Sequence, residues 1–405
     1  MEQARAILSA VERQTDYAHT GPGTLGGRLM RSAWQPVALS KELDPGQTLP
    51  IKVMGEEFTI YRGATGTPHL VAGRCAHRNT QLSLGWVEDD CIRCFYHGWK
   101  YDETGQCVEQ AVESPGFAAK VTIPSYPVAE YLGLIFAYLG EGEPPPMPRY
   151  PEFETDCVVD AVHMVVPYNF FQNMENSVDT LHVSWVHRKS NFYSDGRLSD
   201  FKDGQKDTGG LEGTIVSFEA DETEYGFIFR DVYDTGKVRV SHFEMPNALH
   251  IKVWPVDAES GWRDFLAWKV PVDDESYHNF NLTIAHVTGD AAERYRAHPQ
   301  NPGNQRRGEQ WAEIKRLGDE ILAGRLRLTE KDVGELAKSV NLQDYVAQRG
   351  QGIIVDRVHE RLGQSDKIVI LLRKLWSREM SKLANGEPVT QWHWPGYLEV
   401  TTGAH

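Results

Sequence analysis

Long apolar runs are missing from this 405-residue chain. No stretch approaches the roughly eighteen apolar residues that a membrane-spanning helix needs, so no membrane span is expected. The opening residues, Met1-Glu2-Gln3-Ala4-Arg5-Ala6, lack the basic-then-apolar order of a secretion leader, and the expected location is cytoplasmic. A basic excess is missing too. Lys and Arg number 42 against 57 Asp and Glu, a formal charge of −15, which leaves no cationic footprint for nucleic acid. Cysteine is scarce. The five are Cys75, Cys91, Cys94, Cys107 and Cys157, and an odd total without a leader argues against a disulfide scaffold. Repeats and low-complexity segments are likewise absent. What remains is an ordinary globular composition, 40% hydrophobic and 24% charged, long enough for two domains with ample cores.

Against that plain background, two cysteine–histidine pairs stand out. Cys75-Ala76-His77 is followed, after sixteen residues, by Cys94-Phe95-Tyr96-His97. Such pairs hold metal. A [2Fe–2S] cluster of mixed ligation needs one cysteine and one histidine from each of two loops. Structural zinc sites more often place both cysteines in one knuckle and both histidines in the other, and Cys91-Ile92-Arg93-Cys94 with His97 also reads as a zinc knuckle. Spacing alone leaves both open.

A second constellation follows about ninety residues later. Glu175-Asn176-Ser177-Val178-Asp179-Thr180-Leu181-His182 continues to His187, five residues beyond His182. On one helix Asp179 and His182 would share a face, and a bend would return His187 to the same metal. Two neutral imidazoles and a carboxylate with open positions form the facial triad of non-haem Fe(II) oxygenases. Taken alone, two histidines on a helix are more often merely structural.

The flanks carry a resemblance. Arg74-Cys75-Ala76-His77-Arg78 and Arg93 through Asp102 resemble the Rieske iron–sulfur motif, and the order of the two constellations resembles α-subunits of Rieske non-haem iron oxygenases. The wording is similar to the phthalate dioxygenase and dehydrodivanillate O-demethylase-like branch at Gly21-Pro22-Gly23-Thr24, Trp34-Gln35-Pro36, Tyr126-Pro127 and Pro271-Val272-Asp273-Asp274. It is also similar from Gln343-Asp344-Tyr345 through Asp356-Arg357 to Ser365-Asp366. The resemblance implies that Cys75, His77, Cys94 and His97 hold a [2Fe–2S] Rieske cluster. It implies that His182, His187 and Asp344 hold a mononuclear Fe(II), with Asp356 as the nearest rival to Asp344. It gives Asp179 the role of a carboxylate bridge from a cluster histidine of one subunit to an iron histidine of its neighbour. Asn176 would be a polar group facing the iron. Cys91 is then a small buried thiol on a strand.

The implied activity is that of the oxygenase component of a multicomponent enzyme. It would use O₂ to hydroxylate or O-demethylate a small aromatic, carboxylate-bearing substrate. Electrons would come from NAD(P)H through a flavin and iron–sulfur reductase, with or without a ferredoxin. A bridge between subunits implies a homotrimer. Two other classes stay in view: a Rieske-type electron-transfer protein without oxygenase activity, and a zinc-stabilised binding module.

The fold class expected is α+β. An N-terminal helical segment over residues 1–30 precedes an all-β Rieske domain over 31–147, where short β-rich runs alternate with turns. The proline-rich Glu141–Pro148 stretch marks an extended boundary. The catalytic domain covers 148–405, with a polar loop from about 188 to 210. Six strand-like runs follow: Thr214–Phe218, Tyr225–Asp231, Val238–Phe243, Ala248–Trp254, Asp264–Val270 and Phe280–His286. Trp311, Ile314, Leu317 and Ile321 recur at helical spacing, as do Ile368, Leu372, Leu375 and Trp376. A curved antiparallel sheet wrapped on a long helix, the helix-grip fold, is the expected catalytic domain. Its pocket candidates are Phe243, Met245, Trp254 and Trp268.

Overall fold

The computed structural model describes residues 16–393, leaving out residues 115, 202–212, 254, 258–260, 300 and 302–306. Two units separate at Met147/Pro148. The first takes in Val270–Asp274 and Lys382–Val389 as well, and the second holds Pro148–Lys269 and Glu275–Ser381.

The first unit is built from short strands. Gly21-Pro22-Gly23 makes a turn, and Thr24 then accepts the Gly27 N–H at 3.1 Å to cap α1 (Leu25–Arg31). α1 follows the glycine–proline loop, and the helical stretch expected ahead of that loop falls on residues 1–15, which lie outside the described residues. Three antiparallel sheets follow. One pairs β1 (Trp34–Leu39) with β11 (Leu134–Tyr138) and β10 (Val128–Tyr131). A second has the order β2 (Thr48–Val53), β3 (Glu56–Arg62), β4 (Pro68–Ala72), β9 (Ser125–Tyr126). The third is a meander of β5 (Trp86–Glu88), β6 (Cys91–Arg93), β7 (Lys100–Tyr101) and β8 (Cys107–Glu109). Tyr61, Val71, Leu82, Ile92, Tyr101 and Ile123 fill the core between them, together with Cys75 and Cys94.

The second unit is a seven-stranded antiparallel sheet. Its order is β12 (Val158–Val166), β18 (Ser276–Ala285), β17 (Arg263–Asp273), β16 (Ala248–Val253), β15 (Val238–Glu244), β14 (Gly226–Tyr233), β13 (Ile215–Thr223). Six of these correspond to the expected runs. The seventh, β12, was not expected: it is an edge strand whose burial does not alternate, so no period-two signal marks it.

Helices position the chemistry. α2 (Phe170–Val178) is capped by Asn169, whose Oδ1 accepts the Phe171 N–H at 3.1 Å. α3 (Arg307–Leu322) carries Ile314 and Leu317 inward. It packs on α4 (Val340–Arg349), where Tyr345 donates to Asp319 at 2.8 Å. Gly318 makes that approach possible, since a Cβ there would lie 2.2 Å from the Tyr345 ring. α5 (Lys367–Ala384) buries Ile368, Leu372, Leu375 and Trp376 along one stripe. The Trp376 ring meets Phe170 and Phe171 of α2, and its indole N–H reaches the Pro246 carbonyl at 3.0 Å. Glu175 of α2 also receives Arg373 at 2.6 Å and Arg357 at 2.8 Å. Among the described residues no helix is long and apolar enough to cross a membrane.

Candidate functional site

The two cysteine loops of the first unit are one turn used twice. In the first, Cys75 N–H reaches the Thr80 carbonyl at 2.9 Å, and Asn79 N–H returns to the Cys75 carbonyl at 3.0 Å. In the second, Cys94 N–H reaches the Trp99 carbonyl at 2.8 Å, and Gly98 N–H returns to the Cys94 carbonyl at 3.0 Å. The closing residue must be left-handed in each, and Asn79 (φ 58°) and Gly98 (φ 73°) are residue types that tolerate it. Both cysteines are buried free thiols, while His77 and His97 are exposed. The two imidazole centroids lie 4.5 Å apart, and His77 stacks on Trp99 at 4.6 Å with planes 9° apart.

Several groups brace this arrangement. The Tyr101 hydroxyl lies 3.2 Å from Cys75 Sγ and accepts the Ala76 N–H at 3.2 Å, so it can donate its own proton to a thiolate at Cys75. Arg93 holds the second loop through the Gly98 carbonyl at 2.7 Å and pairs with Glu88 and Glu109, each at 2.7 Å. Burial pushes the Cys94 thiol up, and the neighbouring Cys75 thiol adds to it. Two thiols held side by side without a bond, beside two imidazoles, match the donor set of a mixed-ligand [2Fe–2S] cluster. Cys91 begins β6 and is half-buried, away from this pairing.

In the second unit, α2 ends at Val178. Asp179 is its C-cap residue, with φ −88° and ψ 89°, so Asp179 and His182 do not share one helix face as the spacing suggested. Residues Val183–Lys189 then form a π-helix, followed by a helical turn Ser190–Ser194. A π-helix closes hydrogen bonds over five residues, which brings His182 and His187 to one side. The return of His187 comes from this widened turn rather than a bend. Part of the expected polar loop is therefore helical, and residues 202–212 of it lie outside the described residues.

α4 brings the carboxylate. Asp344 Oδ1 lies 3.8 Å from His182 Nε2 and 3.4 Å from His187 Nε2. Among the described residues this trio is the one group of three histidine, cysteine or acidic side chains whose ligand atoms all fall within 4.8 Å of one another. Ligand atoms about 3 Å apart are what a first-row metal with bonds near 2.1 Å requires, so a small contraction suffices. Asn176 Nδ2 sits 3.4 Å from Asp344 Oδ1 and 3.5 Å from His182 Nε2. α2 is tied to α4 one turn earlier, where Gln348 Oε1 accepts from Asn173 at 2.7 Å and from Tyr168 at 3.1 Å. Asp356 lies elsewhere. It is exposed, caps a short turn through the Val358 N–H, and pairs with His359 at 2.9 Å.

The tautomers of both histidines follow from their other nitrogen. Gln343 donates its amide N–H groups to Asn191 Oδ1 and the Ala337 carbonyl, both at 2.9 Å, so its Oε1 must face His187 Nδ1 at 2.9 Å. An oxygen there requires His187 Nδ1 to carry the proton, leaving Nε2 free toward Asp344. His182 Nδ1 likewise donates to the Asp179 backbone carbonyl. The backbone oxygen takes that imidazole, while the carboxylate accepts the Leu181 N–H at 3.1 Å. Burial raises the Asp179 carboxyl above the usual range and pushes the His187 imidazole down, Asp344 opposing the latter.

Sequence reasoning missed Gln343 as a positioning group, although it sits beside Asp344. It also missed Lys269 on β17, which is 4% exposed. Of the pocket candidates, Phe243 stacks on Phe227 at 5.1 Å, Met245 and Trp268 are buried, and Trp254 lies outside the described residues.

Comparison with known proteins agrees with this geometry. Residues 33–127 match the Rieske [2Fe-2S] domain model. The chain is 30% identical over 390 residues to the 5,5'-dehydrodivanillate O-demethylase oxygenase subunit of Sphingobium sp., covering 94% of this chain and 82% of that one. It is 29% identical to the phenoxybenzoate dioxygenase subunit alpha of Ectopseudomonas oleovorans, over 90% of this chain and 84% of that one. The solved terminal oxygenase of carbazole 1,9a-dioxygenase from Nocardioides aromaticivorans shares the fold, with TM-score 0.59 and 18% identity across 87% of this chain and 96% of that one. A related carbazole dioxygenase oxygenase is solved in complex with ferredoxin. A relative at that identity across nearly the whole length, joined to a Rieske domain followed by a large antiparallel sheet with helices, leads to one conclusion: the chain belongs to the Rieske non-haem iron oxygenases, as an oxygenase subunit.

Proposed function

We propose that Cys75, His77, Cys94 and His97 hold the Rieske cluster and that His182, His187 and Asp344 hold a mononuclear Fe(II) at which an aromatic substrate is hydroxylated or O-demethylated. The observation that carries this reading is the convergence of the three ligand atoms with both imidazoles presenting an unprotonated Nε2. Iron bound there supplies reductive activation of O₂, with electrons from NAD(P)H arriving through a reductase and the cluster.

The protein's residues have distinct tasks in this scheme. Gln343 and the Asp179 carbonyl hold the rings in the ligand tautomer. Asn176 offers an N–H to Asp344 Oδ1, the oxygen that also faces both imidazoles. Tyr101 steadies the Cys75 sulfur by a hydrogen bond, which favours added negative charge on it. The exposure of His77 and His97 leaves their rings open to a neighbouring molecule. The Asp179 carboxylate, engaged locally by one backbone N–H, is a suitable acceptor for such an imidazole. A head-to-tail homotrimer would supply it, with a ferredoxin or reductase as electron donor and the cytoplasm as the setting for five free thiols.

The test is metal analysis of single variants. His182→Ala, His187→Ala and Asp344→Ala are expected to lose mononuclear iron and turnover while the cluster stays reducible. Asp356→Ala is expected to keep both. Retention of iron and activity in Asp344→Ala would refute the ligand set. Product analysis with aryl acids then distinguishes dihydroxylation from O-demethylation.

A further inference from the structure

One face of the catalytic sheet can be followed strand by strand. Thr180, just before His182, donates to Asp231 of β14 at 2.5 Å. Side chains two apart share a face, so Phe227 of β14 lies on that same side. Its cross-strand partner is Phe243, Phe243 opposes Leu249, and Leu249 opposes Ala267. Lys269 stands two residues beyond Ala267 on β17 and belongs to this face. The sheet surface that meets the His182 segment therefore carries an ammonium.

That ammonium is poorly satisfied. Lys269 is 4% exposed, and its Nζ reaches the Ala267 carbonyl at a long 3.5 Å. Among the described residues it forms no ion pair. Burial pushes it down to about 7, and Asp344 draws it back up. Asp344, however, is the carboxylate that would be engaged by the metal. A methionine would fill a similar volume without desolvating a charge. Two neutral imidazoles and one carboxylate around Fe(II) leave a net positive charge, and the Lys269 ammonium on the same sheet face adds another, so an anion is needed to balance them.

We propose that Lys269 anchors a carboxylate of the substrate on the sheet face beside His182, His187 and Asp344. A single lysine offers a point charge with three donors, which suits a monoanion; a phosphate dianion would call for further cations or a guanidinium fork. The assignment rests on the reading of the triad as the iron site, and it makes the acid group of the substrate the determinant of its selection. Substrates of the same ring lacking the charge would lose their hold on the sheet while still fitting between its aromatic walls.

The experiment uses the holoenzyme and three matched probe pairs: benzoate with benzamide, vanillate with vanillamide, and 3-phenoxybenzoate with 3-phenoxybenzamide. Titration calorimetry at neutral pH gives the affinities, with metal content measured on each sample. The native protein is expected to bind at least one acid more tightly than its amide by about tenfold or more. Lys269→Met is expected to bring the acid to the level of the amide, leave the amide unchanged, and retain mononuclear iron. Lys269→Gln carries the same comparison if Lys269→Met does not fold. The proposal is overturned if no acid is preferred by the native protein, if the preference survives in the lysine variants, or if those variants lose the iron. Failure of the triad reading has a separate signature, which is iron retained in His182→Ala.

Discussion

Replacing Gln343 by leucine isolates the support of the iron site from the ligands themselves. The side chain is 1% exposed and similar in size to leucine, so the change removes polarity more than volume. Three hydrogen bonds at 2.9 Å disappear, to His187 Nδ1, Asn191 Oδ1 and the Ala337 carbonyl. The His187 side chain is 14% exposed, so water replaces the lost acceptor poorly. An N–H left without an acceptor there costs about 1–3 kcal/mol, and loss of such an outer partner weakens metal binding by about 10–100-fold. Gln343→Glu separates the two effects. It keeps an oxygen for His187 but loses both donors, so iron affinity should change less than in the leucine variant while unfolding free energy still falls. The assay is anaerobic competition for Fe(II) against a chelator, with the visible absorption of the cluster as an internal control. Native iron affinity in Gln343→Leu would refute the argument that this amide sets the His187 tautomer.

Asp179→Asn should load both metal centres, because His182 bonds to the backbone carbonyl, yet electron transfer from cluster to iron should slow by about 10–100-fold as a charge-assisted acceptor becomes neutral; native rates in a single turnover of pre-reduced protein would make the acid structural. Cys91→Ser should leave the cluster spectrum intact and Cys94→Ser should abolish it, whereas the reverse pattern would reassign the ligand. Glu244 is buried against Tyr150, and burial raises it from 4.5 to about 8, with Glu152 nearby adding repulsion. Its protonated form therefore contributes stability that is complete below about pH 4.5 and is lost as pH rises toward and through 8. Glu244→Gln should flatten that fall by up to about 1.4 kcal/mol per pH unit, and parallel unfolding curves from pH 5 to 8 would refute it.

How legible all this was in the sequence depends on the kind of signal. The cysteine–histidine pairs lie close along the chain, and their loops are local turns, so spacing and flanks display them directly. Five strands of the large sheet and the two long helices carry clear alternation or three-four periodicity, although β13 runs on to Thr223, past its expected end at Phe218. β18 begins earlier than expected because Ser276–Asn279 mix polar and aromatic residues across a hairpin. The break at Asp179 and the π-turn after it leave no mark in composition, since both depend on backbone angles. Lys269 was hidden for a different reason. A lone lysine in Trp268-Lys269-Val270 reads as the solvent side of an alternating strand, and the registry with Ala267 and Leu249 is needed to turn it inward. Gln343 was quoted beside Asp344 but its role rests on a partner 156 positions away in sequence.

The widened helical turn between His182 and His187 has a consequence for how this chain tolerates insertion and deletion. A π-turn is an α-turn that has gained a residue, and an α-helix advances roughly 100° per residue. Deleting one residue among Val183–Val186 would let the segment relax to α-helical bonding, and the two rings, now four apart, would still face the same way. His187 and Asn191 both follow the deleted position, so they would keep their spacing and be drawn together toward His182 by about 1.5 Å, one residue's rise. The bonds of both to Gln343 would be stretched in the same step. The surplus residue is thus a spacer: it matters less for aiming the two rings at one metal than for setting how far along its axis the segment meets the helix that delivers Asp344.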